Sequence, residues 1–224
     1  MMKNLRFFAL FALLSAMLPA LRAEMLSFQF DVKPHASFKG VSDTYIRADN
    51  PAVKNPASSG LNVGTVAGKE QNAMRTLLFF HVAAIPEGSK IKSVSLRLSV
   101  RSAADKDLVV EVHELTRPFA ASYASWKNAT QDIEWKTPGG DAGNMLAEQT
   151  VRSGTAAGAW IAFEKSDALV KAVQAAIDNG WPLCFVLLAP RQEKRADRAF
   201  VSFNSSETQN VNLRPEFVVE LEKP

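Results

Sequence analysis

Aromatic and basic side chains are the chemistry-bearing residues this chain offers in greatest number. Tyr45, Tyr123, Trp126, Trp135, Trp160 and Trp181 carry rings of the kind that stack on the apolar face of a pyranose. Lys33, Lys39, Arg47, Lys54, Lys69 and Arg75 lie in the N-terminal third, and Arg191, Lys194, Arg195 and Arg198 form a denser group further on. A guanidinium forks onto a carboxylate, and an ammonium supplies a mobile positive charge, so either group would suit an anionic ligand. Against this, Asp31, Asp43, Asp49 and Glu70 dilute the first group, and Glu193 and Asp197 interrupt the second. A solvated surface of mixed charge therefore competes with an anion site. The rings compete likewise with the core. Trp160 alternates with Ala162 and Trp181 follows a helix stop, which favours packing, whereas Trp126 and Trp135 sit in a long irregular segment and are open to either role.

Hard oxygen ligands for calcium occur in two places. Asp43, Asp49 and Asn50 flank the first long loop, and Asp141 and Asn144 follow a Gly-Gly turn. Neither place has the spacing of a defined calcium loop, and Asx residues in turns usually form the turn, so a structural calcium is an option rather than a requirement and no cofactor is called for. Zinc fares worse, since His35, His81 and His113 have no paired spacing and Cys184 stands in an apolar strand. For hydrolysis, Glu111 and Glu114 share a strand but differ by three residues and so point to opposite faces. Tyr123 with His113 or Arg117 would make a lyase-like set, but solvated surface is the preferred reading for all of these. No phosphate-cradling loop, nucleophile elbow or metal-binding helix motif is present.

The elements that must position these residues are mainly strands. Val94, Leu96, Leu98 and Val100 alternate with Ser95, Arg97, Ser99 and Arg101, the pattern of a strand with one buried face. Similar runs recur at Leu26 to Val32, Asp43 to Arg47, Leu108 to Leu115, Trp160 to Phe163, Leu183 to Ala189, Phe200 to Phe203 and Phe217 to Leu221. Met74 to Val82 carries Leu77, Leu78, Phe79 and Phe80 without alternation, as a central strand covered on both faces would. Residues 48–60 read as a long loop and residues 117–143 as a polar and aromatic excursion. Ser166 caps the one convincing helix, whose Leu169, Val170, Val173 and Ile177 make a single apolar stripe and which Asn179 and Gly180 end. The fold class expected is all-β, an antiparallel two-sheet sandwich of jelly-roll type with one short helix.

Residues 1–23 have the form of a signal peptide, with Lys3 and Arg6 before an apolar run from Phe7 to Leu18 and Ala23 at the cleavage point. Removing them takes the basic count from 26 to 23, against 23 acidic residues. A neutral mature chain gives no support to a nucleic-acid or membrane-surface partner, and the apolar run is too short to span a bilayer. Residues 24–224 fit a single domain, extracellular or periplasmic after export. Cys184 is the only cysteine, so the fold rests on no internal disulfide, and a buried, inert thiol is expected. Two glycosylation-type sequons start at Asn128 and Asn204, places expected at the surface.

In order along the chain, Asp43-Thr44-Tyr45-Ile46, Arg75-Thr76-Leu77-Leu78-Phe79-Phe80, Ile85-Pro86-Glu87-Gly88-Ser89-Lys90-Ile91 and Ser95-Leu96-Arg97-Leu98 resemble the opening half of the DNRLRE (disaggregatase-related) domain. Thr116-Arg117-Pro118-Phe119, Ala124-Ser125-Trp126 and Trp135-Lys136-Thr137-Pro138-Gly139-Gly140-Asp141 resemble its central segment, and Ser202 to Glu207 with Arg214-Pro215 its closing one. The resemblance implies a secreted β-sandwich similar to carbohydrate-binding module family 96, whose members attach to acidic polysaccharides such as alginate. On that basis Tyr45, Arg47, Lys54, Lys69, Arg75, Tyr123 and Trp126 are the expected carbohydrate-binding residues, and Asp43, Asp49 and Asn50 the calcium candidates. The family's modules are often fused to degrading enzymes and this chain carries none, so a structural or adhesive protein that mediates protein contacts is the alternative, and a small glycan-degrading enzyme the third reading.

Overall fold

The computed structural model describes residues 24–66, 72–164, 166–195 and 197–222. The expected signal peptide and Lys69 lie outside them. Among the described residues eleven strands form one antiparallel sheet curled into a half-barrel, nine along a continuous path and two branching from it. They are β1 Met25–Gln29, β2 Val41–Arg47, β3 Gly60–Thr65, β4 Ala73–Phe80, β5 Ile91–Ser102, β6 Leu108–Leu115, β7 Ala142–Val151, β8 Trp160–Glu164, β9 Leu183–Leu188, β10 Ala199–Asn204 and β11 Glu216–Leu221. The helix α1, Asp167–Asp178, precedes β9, and a single turn, α2 Pro190–Glu193, follows it. The all-β antiparallel class with one short helix therefore holds.

The two layers of the sandwich are joined by one strand. β5 pairs with β11 from Ile91 to Arg97 and with β8 from Ser95 to Ser99, and its end pairs with β10 at Val100 and Ser102. Between the layers, Phe80 of β4, Phe185 of β9 and Phe217 of β11 meet with ring centroids 5.2 to 6.5 Å apart, so one aromatic contact spans the core. The helix caps one end of it. Ser166 accepts the Leu169 N–H at 3.2 Å, and Leu169, Val173 and Ala176 enter the core. Gln174 on the same helix accepts the Ile91 N–H at 2.9 Å and donates to the Ser89 carbonyl at 3.1 Å, which fixes where β5 begins.

Strands β4 and β9 are covered on both faces, as their unbroken apolar runs predict. Leu78, Phe80, Leu183, Phe185 and Leu187 face the core between the layers, while Leu77, Cys184, Val186 and Leu188 face a second cluster with Ala124, Ala129 and Trp135. The excursion of residues 117–141 supplies that outer cover. Burial alone explains the Cys184 thiol, which is 6% exposed and pushed up to about 12.

Two strands were not legible as strands. The first residue of β3, Gly60, reads as the end of the long loop, and at Gly64 a side chain would place its Cβ 2.2 Å from the Ala199 carbonyl, so that glycine serves a close approach to β10. β7 is an edge strand paired only to β6, and half of its ten residues are exposed. The sequon at Asn204 is corrected: this residue is 6% exposed and its amide donates to Ser99 Oγ at 2.9 Å inside the sandwich.

Candidate functional site

Where the long loop of residues 48–59 faces the excursion, a cleft of about 450 Å³ opens, within the range of roughly 300–1,000 Å³ common for ligand sites. Ala48 and Pro51 form one wall, Trp126, Lys127 and Pro138 the other, and Asn72, Ala73 and Glu193 complete it. The strand pleat explains what lies beneath. Arg75 follows Met74 and precedes Leu77 with the parity of the outer face, so its side chain emerges under the excursion. Its guanidinium lies 5.0 Å from the Trp126 ring centre, forks onto Glu193 at 3.0 and 2.7 Å, and donates to the Gly139 carbonyl at 3.1 Å.

The excursion that carries Trp126 is held by hydrogen bonds rather than by regular structure. The Trp135 indole N–H donates to the Ser125 carbonyl at 2.9 Å, and the Gly139 N–H to the Trp126 carbonyl at 2.7 Å. A Cβ at Gly139, whose φ is +95°, would lie 2.6 Å from the Trp126 ring, so only glycine allows the ring its seat. Asp141 ties the two ends together: Arg117 donates to it at 2.8 Å and the Thr137 N–H at 2.9 Å. Burial pushes that carboxyl up, but these donors outweigh it and the net direction is down.

Of the sequence-predicted residues Trp126 lines this cleft, Arg75 contacts Trp126, and Lys54 and Tyr123 meet each other between the long loop and the excursion. Trp126 forms one wall, and Arg75 adjoins the lining through its contacts with Trp126 and Glu193. Lys54, from the same loop as Pro51, sits over the Tyr123 ring at 5.2 Å and bridges the loop to the excursion. Tyr45 and Arg47 have the opposite parity on β2 from Ile46, which belongs to the outer cluster, so they project from the other face. There Arg47 is engaged by Asp49 at 2.6 and 2.5 Å, and that carboxylate holds its guanidinium in the charged form. Both arginines expected to meet a ligand thus already hold a carboxylate of the chain itself, a pairing that charge counting cannot read.

The calcium candidates find separate partners. Asp43 is buried at the middle of β2 and accepts the Ser206 N–H at 2.9 Å; burial pushes its carboxyl up to about 7. Asp49 is the partner of Arg47, and Asn50 is exposed at the loop's start. Among the described residues no group of three or more His, Cys, Asp or Glu side chains assembles. The lyase-like set also disperses. His113 contacts Glu111 at 2.8 Å and the Gly143 carbonyl at 3.0 Å, Arg117 holds Asp141, and Tyr123 holds Lys54.

Sequence reasoning misplaced one aromatic. Trp181, expected to pack, is 61% exposed, because the helix stop turns it outward. Trp135 is buried at 4%, which settles its choice of roles in favour of pinning the excursion.

No protein-family model matches the chain. A search of curated proteins returns no match either.

Proposed function

We propose that this chain is an exported, non-catalytic β-sandwich module that binds polysaccharide, acidic chains above all, in the cleft beside Trp126, and that it is a relative of the DNRLRE domain. The observation that supports it is the cleft itself: a half-buried indole held in one orientation by Arg75 and Gly139, with amide and carboxylate groups of Asn72 and Glu193 beside it. A sugar ring placed there desolvates against the indole while its hydroxyls meet the polar groups. Arg75 and Glu193 cancel in charge, and Arg47 and Asp49 do the same, so the positive field at the rim comes from exposed Lys54 and Lys127. That residual charge is what an acidic chain would read. The reading requires no cofactor.

Affinity electrophoresis through gels of alginate, heparin, pectin or neutral glucan, at two salt concentrations, tests it. The protein is expected to be retarded by acidic gels and less so as salt rises. Lys54→Gln with Lys127→Gln, both exposed, is expected to weaken retention about tenfold while costing no more than about 1 kcal/mol of stability for the lost Lys54–Tyr123 contact. Trp126→Ala is expected to abolish it, and chelation of divalent cations to leave it unchanged. Equal retardation of the native protein and the double lysine variant would remove the cleft from consideration.

A further inference from the structure

A second aromatic site lies at the end of α1, and it is built differently from the Trp126 cleft. The Gly180 N–H donates to the Ile177 carbonyl at 3.2 Å and the Trp181 N–H to the Ala176 carbonyl at 2.8 Å, the paired bonds of a Schellman turn, with Gly180 at φ +63°. In such a turn the residue at the Trp181 position ordinarily packs back on the helix. Here its indole is 61% exposed. Two clefts flank it and share it as a wall. One, of about 410 Å³, runs toward Val82 and Ile85 with His81 and Glu87 at its edge. The other, of about 440 Å³, runs toward Leu146 and Phe185 with Glu114, Asn144 and Lys171 at its edge.

We infer that Trp181 and its two flanking clefts form a second saccharide-binding site, which takes a neutral polysaccharide chain lying across the indole. The inference extends the saccharide-binding reading to a second site, at the end of α1, whose lining shares no residue with the Trp126 cleft. The turn fixes the backbone that carries the ring, so stacking orders only the two side-chain torsions of the indole, a modest entropic cost. Hollows on both sides of one ring suit a polymer that continues past the stacked unit in each direction better than a small molecule that fills one hollow. Charge decides the chemical class. Glu87 and Glu114 stand against Lys171 alone at the edges, an excess of negative charge that repels a uronate chain and leaves acceptors for neutral hydroxyls.

The test is affinity electrophoresis of the purified protein through hydroxyethyl cellulose, mixed-linkage β-glucan and galactomannan, beside alginate. Retardation in at least one neutral gel is expected, insensitive to salt. Trp181→Ala is expected to weaken it about tenfold, Trp181→Phe to retain part of it, and Trp126→Ala to leave it intact. The retarding glycan is also expected to protect one exposed tryptophan from acrylamide quenching in the native protein and none in Trp181→Ala. No retardation in any neutral gel, or full retention by Trp181→Ala, overturns the inference while leaving the alginate result to judge the Trp126 cleft. Sedimentation that shows a native dimer dissociated by Trp181→Ala would also overturn it, because a second copy of the chain would then cover the ring.

Discussion

At the scale of single residues, Asp43 carries the sharpest expectation. Its carboxyl is fully enclosed near the Ser206 N–H, and burial raises it from 3.8 to about 7. The unfolded chain releases that proton near pH 4, whereas the folded chain keeps it until about pH 7. Between those values the folded state binds more protons, so stability falls as pH rises through the window and levels off above it. Asp43→Asn keeps an acceptor for Ser206 and removes the charge. The variant is expected to match the native protein at pH 4 and to exceed it at pH 8 by on the order of 4 kcal/mol, read from denaturant unfolding at each pH. Parallel curves for the two proteins from pH 4 to 8 would show that Asp43 does not titrate in this range. From sequence, Asp43 looked like a loop-flanking oxygen ligand; its burial follows from strand parity and from a contact with a segment 163 residues away, which local reading cannot supply.

At the scale of elements, the excursion of residues 117–141 is a layer made without strands or helices, and its cohesion falls on few groups. Asp141 receives Arg117 and the Thr137 N–H, and a charged hydrogen bond of this kind contributes roughly 1.5–3 kcal/mol. Asp141→Ala removes both and leaves the Arg117 guanidinium without that carboxylate. A loss of about 2–4 kcal/mol is expected, together with new tryptic cleavage after Lys127 and Lys136, which are exposed but held in the closed layer. Unchanged proteolysis in the variant would mean that the apolar contacts of Trp135 and Ala129 hold the excursion alone. The regular elements were largely legible, because alternation in β5 and β6, continuous burial in β9 and the capped stripe of α1 each follow from a local period. The excursion was legible only as an absence of period. β3 and β7 escaped because glycine close to another backbone mimics a turn, and an exposed edge strand shows little apolar signal. The cleft followed the same limits: Trp126 in its wall and Lys54 in the adjoining loop could be named in advance, but not Lys127, nor the Arg75–Glu193 pair that removes charge beside it.

At the scale of the whole molecule, the two apolar clusters are not separable units. β4 and β9 contribute alternate residues to both, so Leu77 and Leu78, or Cys184 and Phe185, belong to different clusters while adjacent in the chain. Detaching the outer cover would expose one face of the two central strands, and opening the sandwich would strip the other. β5 adds a second tie by pairing in both layers. A chain of this length often unfolds through intermediates, but here the shared strands argue for one transition. Far-UV circular dichroism, which reports the strands, and tryptophan fluorescence of a Trp160→Phe, Trp181→Phe background, which reports Trp126 and Trp135 in the excursion, are expected to give the same denaturant midpoint. Reducing agent is expected to change neither, since Cys184 is the only cysteine and is buried. Asp141→Ala is the informative contrast: by weakening only the tie at the excursion's ends, it should draw the fluorescence midpoint below the dichroism midpoint. A fluorescence transition that already precedes the loss of strands in the native protein would show the cover to be a separate unit docked on a self-sufficient sandwich, and the cleft beside Trp126 would then open and close with it.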